Sequence, residues 1–120
     1  MNIGGYDLLF EWPKDKNYIE IEKGIINLCK KHWPRLVIEY DDLSGGSSLK
    51  ERSLSSRREF FIYQDAKAKS LWDKHGVRRI THNSMIYVII EGSITIVVDN
   101  PRGYKVKNII KALNTFLVPI

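Results

Sequence analysis

Two apolar, β-branched runs, residues 85–90 and 94–98, flank Glu91-Gly92-Ser93 within SMIYVIIEGSITIVVDNP, residues 84–101. Gly92 can take the positive φ that a tight turn requires, so the stretch predicts a β-hairpin. Both runs are almost continuously hydrophobic, which predicts strands buried on both faces and a hairpin that organises the core.

The rest of the chain supplies partners for that hairpin. YDLLFEW, residues 6–12, is rich in large apolar side chains and runs into Pro13, which lacks a ladder donor; it predicts a first strand. Asn17 and Glu20 have the spacing of a capping box, and Tyr18, Ile21, Ile25, Cys29 and Trp33 recur at helical intervals, predicting a helix over 17–33 that Pro34 ends. Leu36, Ile38 and Tyr40 alternate with Val37 and Glu39 as a second strand that stops at Asp41-Asp42. From 43 to 58 the period disappears into LSGGSSLKERSLSSRR, a long loop of the kind that in compact domains is usually functional or disordered.

Residues 59–63 predict a third strand. Asp65 can cap a second helix that uses Ala68, Leu71 and Trp72 on its apolar face and ends near Gly76. Residues 75–83 connect into the hairpin. Asn100 or Asp99 is expected to cap a last helix, with Val106, Ile109, Ile110, Leu113 and Leu117 on one side and Lys105, Lys107 and Lys111 on the other. The order β-α-β-β-α-β-β-α, without a fixed-period repeat, predicts one α+β domain over 1–120. Its single sheet of about five strands is expected to be mixed or mainly antiparallel, with helices covering at least one face.

A length of 120 residues is enough for one core without disulfide or metal staples, and 43% hydrophobic with 28% charged residues is a globular composition. Cys29 is the single cysteine, so it forms no intramolecular disulfide; its position on the apolar side of the first helix marks it as a small core residue. A reducing cytoplasm is the expected location. No basic segment precedes an apolar one at the N-terminus, and no run nears the roughly 20 apolar residues of a membrane span, so no membrane association is expected. The net charge of +5 is uneven: residues 1–42 carry 6 basic and 8 acidic side chains, residues 43–120 carry 13 and 6.

Phosphate loops, dinucleotide glycine fingerprints, nucleophile elbows and zinc-type cysteine pairs are all missing, and no cofactor is expected. His75 and His82 lie seven apart with no carboxylate to complete a metal site, and His32 is placed to interact with a helix C-terminus. Glu39, Asp41 and Asp42 read as a solvated turn. Lys50, Arg52, Arg57 and Arg58 make the end of the long loop basic, and Lys67, Lys69, Lys74, Arg78 and Arg79 extend that balance. Phe60, Phe61 and Tyr63 follow the basic run, but strand spacing buries some of them, so charge here supports only nonspecific attraction to nucleic acid.

EFFIYQDAKAKSLWDKHG, NSMIYVII and SITIVVDNP together resemble a group of small bacterial α+β proteins, some of them similar to immunity proteins of polymorphic toxin systems. The resemblance spans residues 59–101 and includes no catalytic residue. It implies that Trp72 and Asp99-Asn100-Pro101 are structural landmarks and that a partner surface lies elsewhere. Lys50, Arg52, Arg57 and Arg58 are the candidate contacts to an acidic protein partner. The expected function is a non-enzymatic protein-interaction module, with an immunity-type protein that binds and neutralises a toxin as its specific form. A homodimer or a subunit of a larger assembly fits the same facts. The alternative is a small-molecule-binding protein or enzyme whose pocket between sheet and loop uses Asp41, Asp42, His82 or Arg58. A third reading is a nonspecific nucleic-acid binder acting through the basic C-terminal two-thirds.

Overall fold

The computed structural model describes residues 6–40, 58–75 and 84–120. Within them the elements follow the order β1 (Tyr6–Phe10), α1 (Tyr18–His32), β2 (Val37–Tyr40), β3 (Arg58–Tyr63), α2 (Ala66–His75), β4 (Met85–Glu91), β5 (Ser93–Asp99) and α3 (Val106–Phe116). This is the α+β order expected from the sequence. All four strand pairings are antiparallel and give one sheet, β1-β5-β4-β3-β2, with the β4–β5 hairpin at its centre. Gly92 turns the hairpin at φ 71°. A side chain there would meet no neighbour, so the need for glycine is a backbone need alone.

Register assigns each side chain to a face. Ile86, Val88 and Ile90 pair across β5 with Val98, Ile96 and Ile94, and across β3 with Ile62, Phe60 and Arg58. That face is sealed by Ile21, Ile25, Cys29 and Trp33 of α1 and its end, and by Val106, Ile109 and Leu113 of α3. Burying each such aliphatic side chain contributes about 1.5–3 kcal/mol, which makes this layer the principal source of stability. The opposite face is covered differently. Tyr63 and Met85 are buried beneath Ala68 of α2, while Phe61, Trp72 and Tyr87 pack around them and remain partly exposed.

The hairpin therefore departs from the expectation of burial on both sides. Its helix-facing residues are fully buried, whereas Tyr87, Ile89, Thr95 and Val97 are only partly so. α2 has 10 residues, roughly 15 Å of helix, which is short against the width of five strands.

α1 begins at the expected capping box: the Glu20 amide donates to Asn17 Oδ1 at 2.9 Å, and the Asn17 amide donates to Glu20 Oε1 at 3.2 Å. α3 begins later than expected, and neither Asn100 nor Asp99 caps it. Asn100 sits at φ 57° and its carbonyl accepts from the Gly103 amide at 3.0 Å and from Ser84 Oγ at 3.1 Å. Those two bonds close a turn instead of opening a helix. The N-cap is Lys105, at φ 58° with no side-chain cap. At the sheet edge, the Glu11 amide donates to the Val118 carbonyl (2.8 Å) and the Ile120 amide to the Leu9 carbonyl (3.0 Å). The C-terminal residues thus pair with the β1 edge and shield its backbone groups.

Candidate interaction site

α1 and α3 lie side by side and antiparallel over the sheet. Near one end Gly24 accommodates the Phe116 ring, which a Cβ at position 24 would overlap. At the other end Trp33 Nε1 donates to the Tyr104 carbonyl at 2.7 Å. These two contacts fix the helix pair as a unit. Lys16 Nζ stands 5.9 Å from the centre of the Phe116 ring, within cation–π range.

On the outer surface the pair encloses a groove of about 590 Å³. Gly24, Leu28, Ala112 and Phe116 contribute its partly buried apolar lining, and Asn27, Lys31 and Thr115 line it from exposed positions. Thr115 Oγ1 donates to the Lys111 carbonyl at 3.1 Å, so its hydroxyl is satisfied within the helix. Lys31 lines the groove, and over their outer surfaces the two helices expose Lys23, Lys30, Lys31, Lys107 and Lys111 against one exposed acid, Glu20. Among the described residues none of these five lysines is drawn into an ion pair. A smaller depression of about 200 Å³ adjoins the groove, sharing His32 with it, and is lined also by Trp33, Arg35, Gln64 and Tyr104. Asp65 reaches the same depression, but its Oδ1 accepts the Ala68 amide at 2.8 Å and so caps α2.

The lysine that sequence places in the basic run of α2 has a different fate. Lys69 Nζ lies 2.7 Å from Asp73 and 3.1 Å from Glu39, and those two contacts push its pKa upward. Tyr63 donates its hydroxyl to Glu39 at 3.3 Å; burial, aided by the Glu39 charge, pushes its phenol up to about 12. This network ties α2 to β2 and β3 and leaves Lys69 matched by two carboxylates.

Arg58 requires a correction. It was expected at the basic end of the long loop as a partner contact, yet it is the first residue of β3 and only 2% exposed. Alternation along the strand puts Arg58 on the same face as Phe60 and Ile62, opposite Ile90. Its Nε is 3.6 Å from Glu22 of α1, and the same carboxylate accepts the Tyr40 hydroxyl at 3.1 Å. Lys50, Arg52, Arg57, Asp41, Asp42 and His82 lie outside the described residues, as does the side chain of His75. Cys29 is fully buried, and burial pushes its thiol up to about 12, a state far from a reactive thiolate.

The groove was not visible as a site in the sequence. Lys23, Lys30 and Lys31 belong to the first third of the chain, residues 1–42, whose balance is acidic, and only packing against α3 sets their helix beside the one that carries Lys107 and Lys111. The one available signal was amphipathicity: the lysines of α1 fall opposite Ile21, Ile25 and Cys29. Among the described residues no group of three His, Cys, Asp or Glu side chains is arranged to hold a metal ion. No described helix is long and apolar enough to cross a membrane. Comparison of the chain with protein-family models, curated proteins and solved structures finds no match in any of the three.

Proposed function

We propose that this chain is a non-enzymatic protein-interaction module, and that its specific form is an immunity-type protein that binds and neutralises a toxin in the cytoplasm. The observation that supports the reading is the outer face of α1 and α3, where an apolar groove lined by Lys31 lies between helices that carry further exposed lysines. Such a face offers a partner both apolar burial and charge complementarity, the two requirements of a specific interface. An acidic protein is the partner that this charge favours.

The test is affinity purification of the full chain from lysate of its source cell at low and moderate salt, followed by expression of the recovered partner with and without this chain. A stoichiometric partner that halts growth alone and is tolerated beside this chain is the expected result. Retention of no macromolecule at either salt overturns the reading. A second reading, a small-molecule-binding protein, is favoured by the depression beside Trp33, where Arg35, His32, Gln64 and Tyr104 converge. It predicts a rise in melting temperature with a ligand of matching size, and a flat response across a metabolite set removes it.

A further inference from the structure

We infer that the groove between α1 and α3 receives one acidic amphipathic helix from a protein partner, an inference that rests on the interaction-module reading above. Shape is the first argument. Two antiparallel helices present a furrow that a third helix fills as a ridge enters a groove. α3 has 11 residues and so spans roughly 16 Å, which matches an occupant of about three turns.

The lining supplies the second argument. Phe116 lays its ring over Gly24, and Ala112 is small, so that apolar side chains at helical spacing reach Leu28 and the Phe116 ring. The charge of the helix pair is the third. Lys31 lines the groove, and Lys23, Lys30, Lys107 and Lys111 are exposed on the same two helices, with Glu20 as their single exposed acid. An occupant with Asp or Glu flanking its apolar stripe meets attraction from Lys31 and from the positive balance of the two helices. A second copy of this chain brings the same lysines and meets repulsion.

An anionic bilayer also favours lysines beside apolar surface, but the geometry opposes it. A helix that lies in a membrane inserts an outward apolar face. Here Ile21, Ile25, Cys29, Val106, Ile109 and Leu113 are all turned into the core, and the apolar lining between the two helices is concave.

Three fluorescent synthetic helices of about three turns test the inference: one with a leucine stripe and glutamates elsewhere, one with lysines replacing the glutamates, and one glutamate peptide with its stripe scrambled. The first is expected to bind the full chain, more weakly as salt rises, and the other two are not. Lys31→Glu with Lys111→Glu is expected to weaken the first peptide about tenfold and to improve the lysine peptide. Ala112→Trp fills the groove and is expected to abolish binding, with circular dichroism verifying the fold. Equal binding of the scrambled peptide, no binding of any peptide, or co-sedimentation with anionic phosphatidylserine vesicles in place of peptide binding overturns the inference. The same variants separate the two claims: a cellular partner retained undiminished by both overturns the groove and leaves the interaction module standing.

Discussion

The two faces of the sheet are held by different chemistry. Under α1 and α3 the contact is mainly aliphatic, with Ile86, Val88, Ile90, Ile94, Ile96 and Val98 all fully buried beside Phe10, Trp33 and Phe60. Under α2 it is aromatic and ionic: Phe61 stacks on Tyr87 with ring centres 4.5 Å apart and 12° between planes, and the Glu39–Lys69–Asp73 contacts close its rim. The difference teaches where a binding surface can be found. The α2 side uses charges to fasten its own helix, so Lys69 is matched internally. The α1–α3 layer is fastened on its inner side, by apolar packing and the buried Glu22–Arg58 pair, and its outer lysines are left to meet something else.

The largest effect that tests this contrast is truncation on each face at the same depth in the sheet. Ile96→Ala removes fully buried methyls beneath the helix pair and is expected to cost about 3–4 kcal/mol, because the cavity opens where α1, α3 and two strands interlock. Tyr87→Ala on the partly exposed face is expected to cost less, about 1–2 kcal/mol, through loss of the stacking on Phe61 and some burial. Urea unfolding of both variants measures the difference. Equal losses would mean that α2 contributes as much to the core as the helix pair.

A second test concerns the polar point within the aliphatic face. Glu22 is 7% exposed and Arg58 2% exposed, and the carboxylate bridges the arginine and Tyr40. Glu22→Ala withdraws that carboxylate from a buried guanidinium and is expected to destabilise by about 2–3 kcal/mol. Glu22→Gln keeps the volume and one acceptor for Tyr40, so its loss is expected to be smaller. Denaturation midpoints of the pair check the order, and an unchanged midpoint for Glu22→Ala would remove Glu22 from the structural account.

Legibility in the sequence divides along physical lines. Local signals carried over well: the capping box at Asn17, the positive φ at Gly92, the helical period of Ile21, Ile25 and Cys29, and the Asp65 cap are each decided within a few residues. Features decided across the chain did not. Arg58 reads as the end of a polar loop because its neighbours in sequence are Ser55, Ser56 and Arg57, yet pairing with Ile90 sets it inside. Asn100 has the chemistry of a helix cap, and the fold uses its carbonyl for a turn that Ser84 helps to close. The candidate groove belongs to the same class, since no window of sequence contains both Leu28 and Ala112.

The smallest expected effect at neutral pH, and the one that distinguishes the two faces by proton chemistry, lies in Tyr63 and Cys29. Cys29 sits beneath the helix pair and Tyr63 beneath α2, and burial raises both groups, the thiol from 9.0 and the phenol from 10.0, each to about 12. A raised folded-state pKa means that the native state holds the proton more tightly than the unfolded chain. The corresponding stability is fully present below the unfolded value and is lost as pH rises towards 12. Loss through Cys29 therefore begins near pH 9, and loss through Tyr63 about one unit later. Tyr63→Phe removes one 3.3 Å hydrogen bond and is expected to change stability at pH 7 by less than about 1 kcal/mol. Between pH 10 and 12 the same variant is expected to lose stability less steeply than the parent, the difference being the Tyr63 contribution. Unfolding midpoints measured across that range decide it. Parallel curves would mean that the phenol ionises as readily under α2 as in the unfolded chain, and that this face is open to water where the aliphatic face is closed.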